Sequence, residues 1–438
     1  MRSDVLTPRS NVLRRAATVN RVALALAIGW LILIGLTLTP EVDDFRQFRR
    51  GAVDLLQAGD PYATRANPAA EAQRVPGTVD ESGERGFKYP PVFAYLFQPF
   101  GLFEHRTGQL IWFGVNLLIL GALIALCIRM SGSLLAQRYW GVVVLGTVLA
   151  PPTRLSLQLG QVSILMALLL VAVGLYARRR PALAGLLLAL TSMIKLYPAL
   201  LGIYFLLRGP RRAAWWSLAW AIALVVAFVP IYGIQHYRTF ADVVILSSNH
   251  PYTAEFNLSL VAFWNRIFTP SPYAMPLLDA PLLARLLTIL SSLLVLGVCL
   301  YTRPRSDDQR SYLLEYSLWL CVMLILSPIN GSYNLLLLLL PLLLILAYLE
   351  QTPDRRTRNW LIIGTALACF PPAWSDGLPA VYNAVHVGWG TLVLTPAFYG
   401  LVIYIGLLAW LTQHIASETP APHSAFPDAV TRSQGDRG

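Results

Sequence analysis

Charge is scarce in this chain of 438 residues. Charged residues make up 13% of the sequence, and hydrophobic residues make up 56%. A soluble domain carries about 25% charged residues and does not sustain apolar runs such as 335–346. The shortage of charge argues against a water-soluble enzyme, a nucleic-acid binder and a disordered protein. It predicts an all-α, polytopic integral membrane protein whose surroundings are membrane lipids.

Cysteine is scarce as well. The four cysteines, Cys127, Cys299, Cys321 and Cys369, lie in apolar runs and form no CxxC pair. Zinc sites and disulfide frameworks need closely spaced or regularly paired ligands. We therefore predict no zinc site and no disulfide framework. The sequence shows no other metal-ligand constellation, and we predict no metal and no cofactor.

Lysine is almost absent. Of 34 basic residues only Lys88 and Lys195 are lysines, a bias typical of a GC-rich bacterial genome. The net charge of +11 does not indicate nucleic acid, because the arginines form short clusters between apolar runs, as cytoplasmic loops do. The two lysines that remain are candidates for specific roles.

The apolar runs predict about 12 membrane helices in one domain at 22–413. A basic N-terminus, 1–21, precedes an uncleaved span at 22–38, and a disordered cytoplasmic tail follows at 414–438. A helix needs about 20 residues to cross the hydrocarbon core. The further candidate spans are 107–128, 139–151, 161–177, 182–207, 213–233, 281–301, 311–328, 333–349, 359–374 and 396–413.

The segment 182–207 decides the topology. Arginine clusters flank it at 178–180 and 208–212, and Lys195-Leu196-Tyr197-Pro198 interrupts it. A hairpin of two short helices keeps both clusters in the cytoplasm. It places both termini in the cytoplasm as well, and three long stretches then face outward: 40–106, 234–280 and 375–395.

The first outer stretch begins with two carboxylates, Asp43 and Asp44. Apolar residues then recur at helical spacing from Phe45 to Leu55, with arginines on the opposite face. This pattern predicts an amphipathic helix on the outer membrane surface. A Gly59-Asp60-Pro61-Tyr62 turn ends it, and the later segment 92–103 is too short to span.

Short sequence patches follow one another in order along residues 40–350. They are Asp44-Phe45 with Gly59-Asp60-Pro61-Tyr62, Tyr89-Pro90-Pro91, Leu159-Gly160-Gln161-Val162, Ala184-Gly185-Leu186 through Lys195-Leu196-Tyr197-Pro198, Asn257-Leu258-Ser259-Leu260 with Arg266, and Ser327-Pro328. In these patches the sequence resembles glycosyltransferase family 87 of the GT-C superfamily. One departure is that relatives often have histidine where Tyr333 and Asn334 stand.

The resemblance implies a GT-C-type fold and an inverting sugar transfer. The donor would be a polyprenyl-phosphate sugar, most often mannose but sometimes another sugar such as arabinose, and the acceptor a lipid or glycan. The site would lie on the outer face of the bacterial cytoplasmic membrane. Such a transfer needs a carboxylate to take the acceptor proton and cations or hydrogen bonds for the leaving phosphate.

Asp44 is the predicted base, and Asp43 is the second candidate. Either carboxylate can instead serve only as a helix cap. The predicted donor-binding or substrate-binding residues are Lys195, Lys88, Arg46, Arg49, Arg154, Gln161, Asn257, Ser259, Arg266, Tyr89 and His250.

Several of these residues have a plain structural alternative. Gln161 can be a helix-start amide, Asn257 and Ser259 can cap a local turn, and Lys88 can extend to the membrane surface. Lone loop histidines such as His236 and His386 are expected to be solvated.

The rival reading of the chain is a lipid or solute transporter. Twelve spans and a broken hairpin fit it. One feature argues against a transporter. Ionisable residues are nearly absent from mid-membrane positions, where coupling ions or protons would need partners.

Overall fold

The computed structural model describes residues 8–39, 44–64, 86–249, 251–372, 374–375 and 378–414. Within these ranges the protein is built from α-helices and three 3-10 helices, with only isolated β-bridges besides. The predicted all-α class is therefore confirmed. The α-helices are α1 Pro8–Leu36, α2 Asp44–Ala58, α3 Pro91–Gly101, α4 His105–Ser131, α5 Leu134–Arg138, α6 Trp140–Leu149, α7 Pro151–Gln158, α8 Ser163–Tyr176, α9 Pro181–Ile194, α10 Leu200–Leu207, α11 Arg211–Tyr232, α12 Gln235–Asn249, α13 Leu260–Phe268, α14 Pro281–Tyr301, α15 Gln309–Leu326, α16 Leu339–Gln351, α17 Arg355–Ala368, α18 Pro379–Val385 and α19 Pro396–His414.

The predicted count of about 12 spans is not confirmed. In the described part of the chain, six helices are long and apolar enough to cross a membrane, or seven if a bent pair counts as one. Proline explains two of the breaks, because it cannot continue a helix ladder. Helices α6 and α7 meet at 62° before Pro151, and Pro198 lies in the 3-10 turn between α9 and α10.

The structure supports the predicted hairpin. Arg178 precedes α9, and its guanidinium lies 4.3 Å from the ring centroid of Tyr312. Arg208 follows α10 and forms an ion pair of 3.0 Å with Glu315. Tyr312 and Glu315 both belong to α15 and are about one helical turn apart. The two arginine clusters therefore share one end of the molecule, here called the basic end, while Lys195 lies at the turn between the two helices.

Cysteine labelling tests this topology. We expect Arg179→Cys and Arg211→Cys, each in a Cys369→Ser background, to react only from the cytoplasmic side, because short basic loops stay inside. Arg154→Cys, at an exposed position on α7, is the control for the opposite side. Reaction of positions 179 and 211 from opposite sides would contradict the hairpin.

Helix α2 confirms the predicted amphipathic helix, but protein covers the apolar face that we expected on the membrane surface. Phe45, Phe48 and Ala52 are fully buried. The rings of Phe45 and Phe48 contact the Phe97 ring edge-on, with centroids 5.7 and 5.8 Å apart. Phe97 belongs to α3, the short helix near the end of the first outer stretch. Helix α2 ends at Ala58, and the next residue, Gly59, has a φ of +70°, as the turn predicts.

Candidate active site

The N-terminus of α2 is docked on the turn that follows α7. The backbone N–H groups of Asp44 and Phe45 donate to the Leu159 carbonyl at 2.8 and 3.1 Å. The first N–H groups of a helix have no partner within the helix, so this carbonyl satisfies two of them. The contact fixes the predicted base beside the turn.

That turn is a Schellman cap at the end of α7. Gly160 has a φ of +61°, its N–H donates to the Leu157 carbonyl at 3.3 Å, and the Gln161 N–H donates to the Ser156 carbonyl at 2.9 Å. This is the bonding pattern of such caps. A Cβ at Gly160 would lie 2.7 Å from the Cβ of Phe45. Glycine is therefore required both by its φ and by the approach of α2.

Gln161 joins the predicted base to the predicted phosphate-binding lysine. Its Nε2 donates to Asp44 Oδ2, and its Oε1 accepts from Lys195 Nζ at 3.3 Å. Asp44 and Lys195 are half-buried, whereas Gln161 is 1% exposed. Asp44 and Gln161 are 117 positions apart in the sequence, and Gln161 and Lys195 are 34 positions apart. Their three side chains form one row, here called the Asp44 row.

Two tyrosine rings face the ammonium of Lys195. Its Nζ lies 5.1 Å from the ring centroid of Tyr333 and 5.9 Å from that of Tyr89. A cation over an aromatic face is attracted by the ring quadrupole, so the rings offset part of its lost hydration. Tyr62 holds the second ring in place, because its hydroxyl donates to the Tyr89 carbonyl at 2.6 Å.

Asn257 and Ser259 lie in a buried hydrogen-bond network. Asn257 Nδ2 donates to the Pro328 carbonyl at 3.1 Å, and its Oδ1 accepts from the Asn330 N–H at 2.9 Å. Ser259 caps α13, because its Oγ accepts from the Ala262 N–H at 3.0 Å. These contacts give both residues a local structural role, and their predicted contact with the sugar stays a prediction.

Asn334 connects this network to the Asp44 row. Its Nδ2 donates to Asn330 Oδ1 at 3.0 Å, and its Oδ1 accepts from Ser163 Oγ at 2.9 Å. Ser163 follows Gln161 by two residues, and Asn334 follows Tyr333 directly. The network therefore braces the backbone on two sides of the Lys195 ammonium.

Arg266 is fully buried and serves protein acceptors. Its Nη1 donates to the carbonyls of Ala254 and Asn257, both at 3.0 Å, and its Nη2 donates to Thr395 Oγ1 at 3.1 Å. These contacts hold the loop before α13 against the start of α19. They give the guanidinium a structural role, and its predicted contact with a donor phosphate stays a prediction.

We expect Arg266→Met to lower the free energy of unfolding by at least about 3 kcal/mol, because it leaves several buried carbonyls without a donor. Thermal unfolding in detergent measures the change. Arg154→Met, at an exposed position, is the control and should lie within about 0.5 kcal/mol of the wild type. An Arg266→Met protein of wild-type stability with weakened donor binding would contradict the structural role.

The other predicted phosphate-binding cations differ in solvent exposure. Arg46 and Lys88 are half-buried, and Arg154 is exposed. Arg49 is half-buried, and its Nε donates to the Phe103 carbonyl at 2.9 Å. Their role in phosphate binding stays a prediction. The remaining two candidates, Asp43 and His250, lie outside the described residues.

Two histidines that we expected to be solvated are buried. His236 is 1% exposed, and its Nδ1 lies 3.0 Å from the Tyr95 hydroxyl. His386 is 8% exposed, with Nδ1 2.8 Å from the Tyr382 carbonyl. Burial lowers the pKa of His236, and the nearby Asp60 carboxylate opposes that shift. The expectation was wrong because helices α12 and α18 form in stretches that were read as loops.

A large part of the chain matches a known family. The sequence pattern of glycosyltransferase family 87 matches residues 87–328, which is more than half of the chain. The match covers Gln161 and Lys195 of the Asp44 row and stops short of Tyr333.

Named relatives come from mycobacteria. A polyprenol-phosphate-mannose-dependent alpha-(1-2)-phosphatidylinositol mannoside mannosyltransferase of Mycobacterium tuberculosis (strain ATCC 25618 / H37Rv) is 31% identical over 157 residues, 33% of this chain and 36% of the relative. The chain thus matches about a third of that relative's length. A polyprenol-phosphate-mannose-dependent alpha-(1-2)-phosphatidylinositol pentamannoside mannosyltransferase of Mycobacterium tuberculosis (strain CDC 1551 / Oshkosh) is 26% identical over 339 residues, 76% of this chain and 74% of the relative.

Among solved structures, ArnT from Cupriavidus metallidurans bound to undecaprenyl phosphate is similar at 12% identity and a TM-score of 0.37, over 89% of this chain and 76% of that chain. The family match covers the helices that carry the Gly-Gln turn and the Lys195 hairpin. It confirms the resemblance that the ordered sequence patches indicated. The chain belongs to glycosyltransferase family 87.

Proposed function

We propose that the protein transfers mannose from polyprenyl-phosphate mannose to a lipid-linked acceptor. The observation that supports this function best is the Asp44 row, in which a carboxylate and an ammonium flank one buried amide. Both charged groups are half-buried and so remain open to a substrate. Family membership favours this reading over a transporter.

The chemistry assigns different tasks to the two charges. Asp44 takes the proton of the acceptor hydroxyl while that oxygen attacks the anomeric carbon from the face opposite the phosphate. The bond to the phosphate oxygen breaks, and Lys195 stabilises the negative charge that develops on the phosphate. A single displacement of this kind inverts the anomeric centre.

The substrate classes follow from the chain and its relatives together. The names of the mycobacterial relatives specify polyprenol-phosphate-mannose as the donor and phosphatidylinositol mannosides as acceptors. A lipid donor suits a site that is carried by membrane helices. For this chain we propose the same donor class and a lipid-linked glycan as acceptor.

The proposed location is the outer face of the bacterial cytoplasmic membrane. The basic end carries the arginine clusters before α9 and after α10, and the positive-inside rule assigns such loops to the cytoplasm. Lys195 lies at the opposite turn of that hairpin. The Asp44 row then faces outward.

Purified protein in proteoliposomes tests the function. We expect labelled mannose to move from polyprenyl-phosphate mannose to a component of a bacterial lipid extract, identified by mass spectrometry. GDP-mannose and a polyprenyl-phosphate arabinose donor serve as controls for donor class and sugar. Transmembrane movement of the lipid donor without any glycosylated product would favour the transporter instead.

A further inference from the structure

Gln161 occupies an unusual place between the two charges of the site. The side-chain amide uses its donor on Asp44 and its acceptor on Lys195. The residue is 1% exposed, although both neighbours are half-buried. The amide therefore lies behind the two charged groups rather than among the groups open to a substrate.

The backbone leaves Gln161 little freedom to leave this place. Its N–H closes the Schellman cap on the Ser156 carbonyl, and the preceding Gly160 carbonyl accepts from Trp112 Nε1 at 2.8 Å. The next residue, Val162, is fully buried. A side chain held in this way suits a fixed spacer better than a ligand that must adapt to a substrate.

A spacer is useful because the two charges attract each other. In a partly buried site, a carboxylate and an ammonium attract each other strongly. Without a group between them, they would move into direct contact. Such an ion pair would occupy the lone pairs that the base needs and the N–H groups that a phosphate needs. A neutral amide forms one hydrogen bond with each group and stands where the direct ion pair would otherwise form.

We propose that Gln161 is a positioning residue that keeps the Asp44 carboxylate and the Lys195 ammonium apart. The rings of Tyr333 and Tyr89 hold the ammonium from the other side, at 5.1 and 5.9 Å. This role rests on the proposed function, because the two charges need separate tasks only if one is a base and the other binds phosphate.

The test uses the lysine content of the chain. Lys88 and Lys195 are the only lysines, so protein labelled with carbon-13 at the lysine ε position gives two side-chain signals, and Lys88→Arg assigns them. In Gln161→Met we expect the Lys195 signal to titrate about one pH unit or more higher than in the wild type, because the ammonium then contacts Asp44. Adding Asp44→Asn should abolish this rise.

Kinetics supply the second readout. We expect Gln161→Met to lower kcat about 10- to 100-fold, with a smaller change in donor KM. If the Met variant does not fold, Gln161→Asn replaces it. The Asn side chain is too short to reach both partners, so we expect it to lower kcat as well. Asn116→Leu, which removes a buried amide bonded within α4, is the control and should keep wild-type kcat.

An unchanged Lys195 titration in a folded Gln161 variant would overturn the spacer role, whatever its kcat. Because the titration is recorded without substrate, it tests the spacer separately from the proposed function. A wild-type protein that does not transfer sugar would refute the function, while the titration would still report on the spacer.

Discussion

Asp44→Asn is expected to lower the rate of sugar transfer about 100- to 10,000-fold, which is the usual contribution of a general base. The amide has nearly the same shape, so its oxygen can still accept from Gln161 Nε2, and α2 can remain docked on the Leu159 carbonyl. It cannot take the acceptor proton. Initial rates at saturating donor and acceptor, with purified protein of wild-type thermal stability, measure the effect.

Two matched variants make this result specific. Asp54→Asn changes a buried carboxylate on the same helix that is paired with Arg50 at 2.9 Å, and we expect it to affect stability more than kcat. Asp43→Asn tests the other carboxylate of the pair. Full activity of Asp44→Asn together with an inactive Asp43→Asn would move the base by one residue, and activity in both would leave the pair a structural role.

Lys195→Ala is expected to weaken the apparent affinity for polyprenyl-phosphate mannose about 10- to 100-fold. A hydrogen bond to a charged group contributes about 1.5–3 kcal/mol, and 1.4 kcal/mol corresponds to a factor of ten. Acceptor KM should change much less. Lys195→Arg should restore part of the donor affinity, because the planar guanidinium keeps the charge but does not fit the space of a compact ammonium.

Lys88→Ala is the control for Lys195. It removes the second of the two lysines from a half-buried position in the first outer stretch, and we expect a smaller effect on donor affinity. Unchanged donor affinity in Lys195→Ala would remove Lys195 from the phosphate site. A larger loss in Lys88→Ala would assign the phosphate contact to Lys88 instead.

The local patterns predicted α2 well because they depend on neighbouring residues. Helical spacing from Phe45 to Leu55 identified the buried face, and the glycine at position 59 identified the end of the helix. These local patterns did not predict which residues pack against that face. Phe97 meets the helix from about fifty positions downstream, and no local periodicity encodes such a contact.

The span count failed for a similar reason. Hydropathy detects apolar stretches but does not say where a helix breaks, and here the helices stop at Pro151 and bend again around Pro198. Charge clusters were more informative, because assigning arginine-rich loops to the cytoplasmic side requires only the charges that flank each apolar segment. They predicted that Arg178 and Arg208 lie at the same end, as their contacts with α15 show.

In the site, sequence reasoning found residue types but not their partners. Asp44, Gln161 and Lys195 were all candidates, yet their meeting depends on the Schellman cap at Gly160 and on a carbonyl at Leu159, which carries no side-chain signal. Tyr333 was noted only as a departure from the family pattern, and the structure places its ring beside the Lys195 ammonium.

The measurement that tests the proposed mechanism most directly is a single turnover with polyprenyl-phosphate mannose and the identified acceptor. We expect one polyprenyl phosphate to be released for each acceptor mannosylated, with the anomeric configuration of the product opposite to that of the donor. NMR of the product and quantification of the released lipid give both values. Release without transfer, or a product with the donor's configuration, would contradict a single displacement with Asp44 as base.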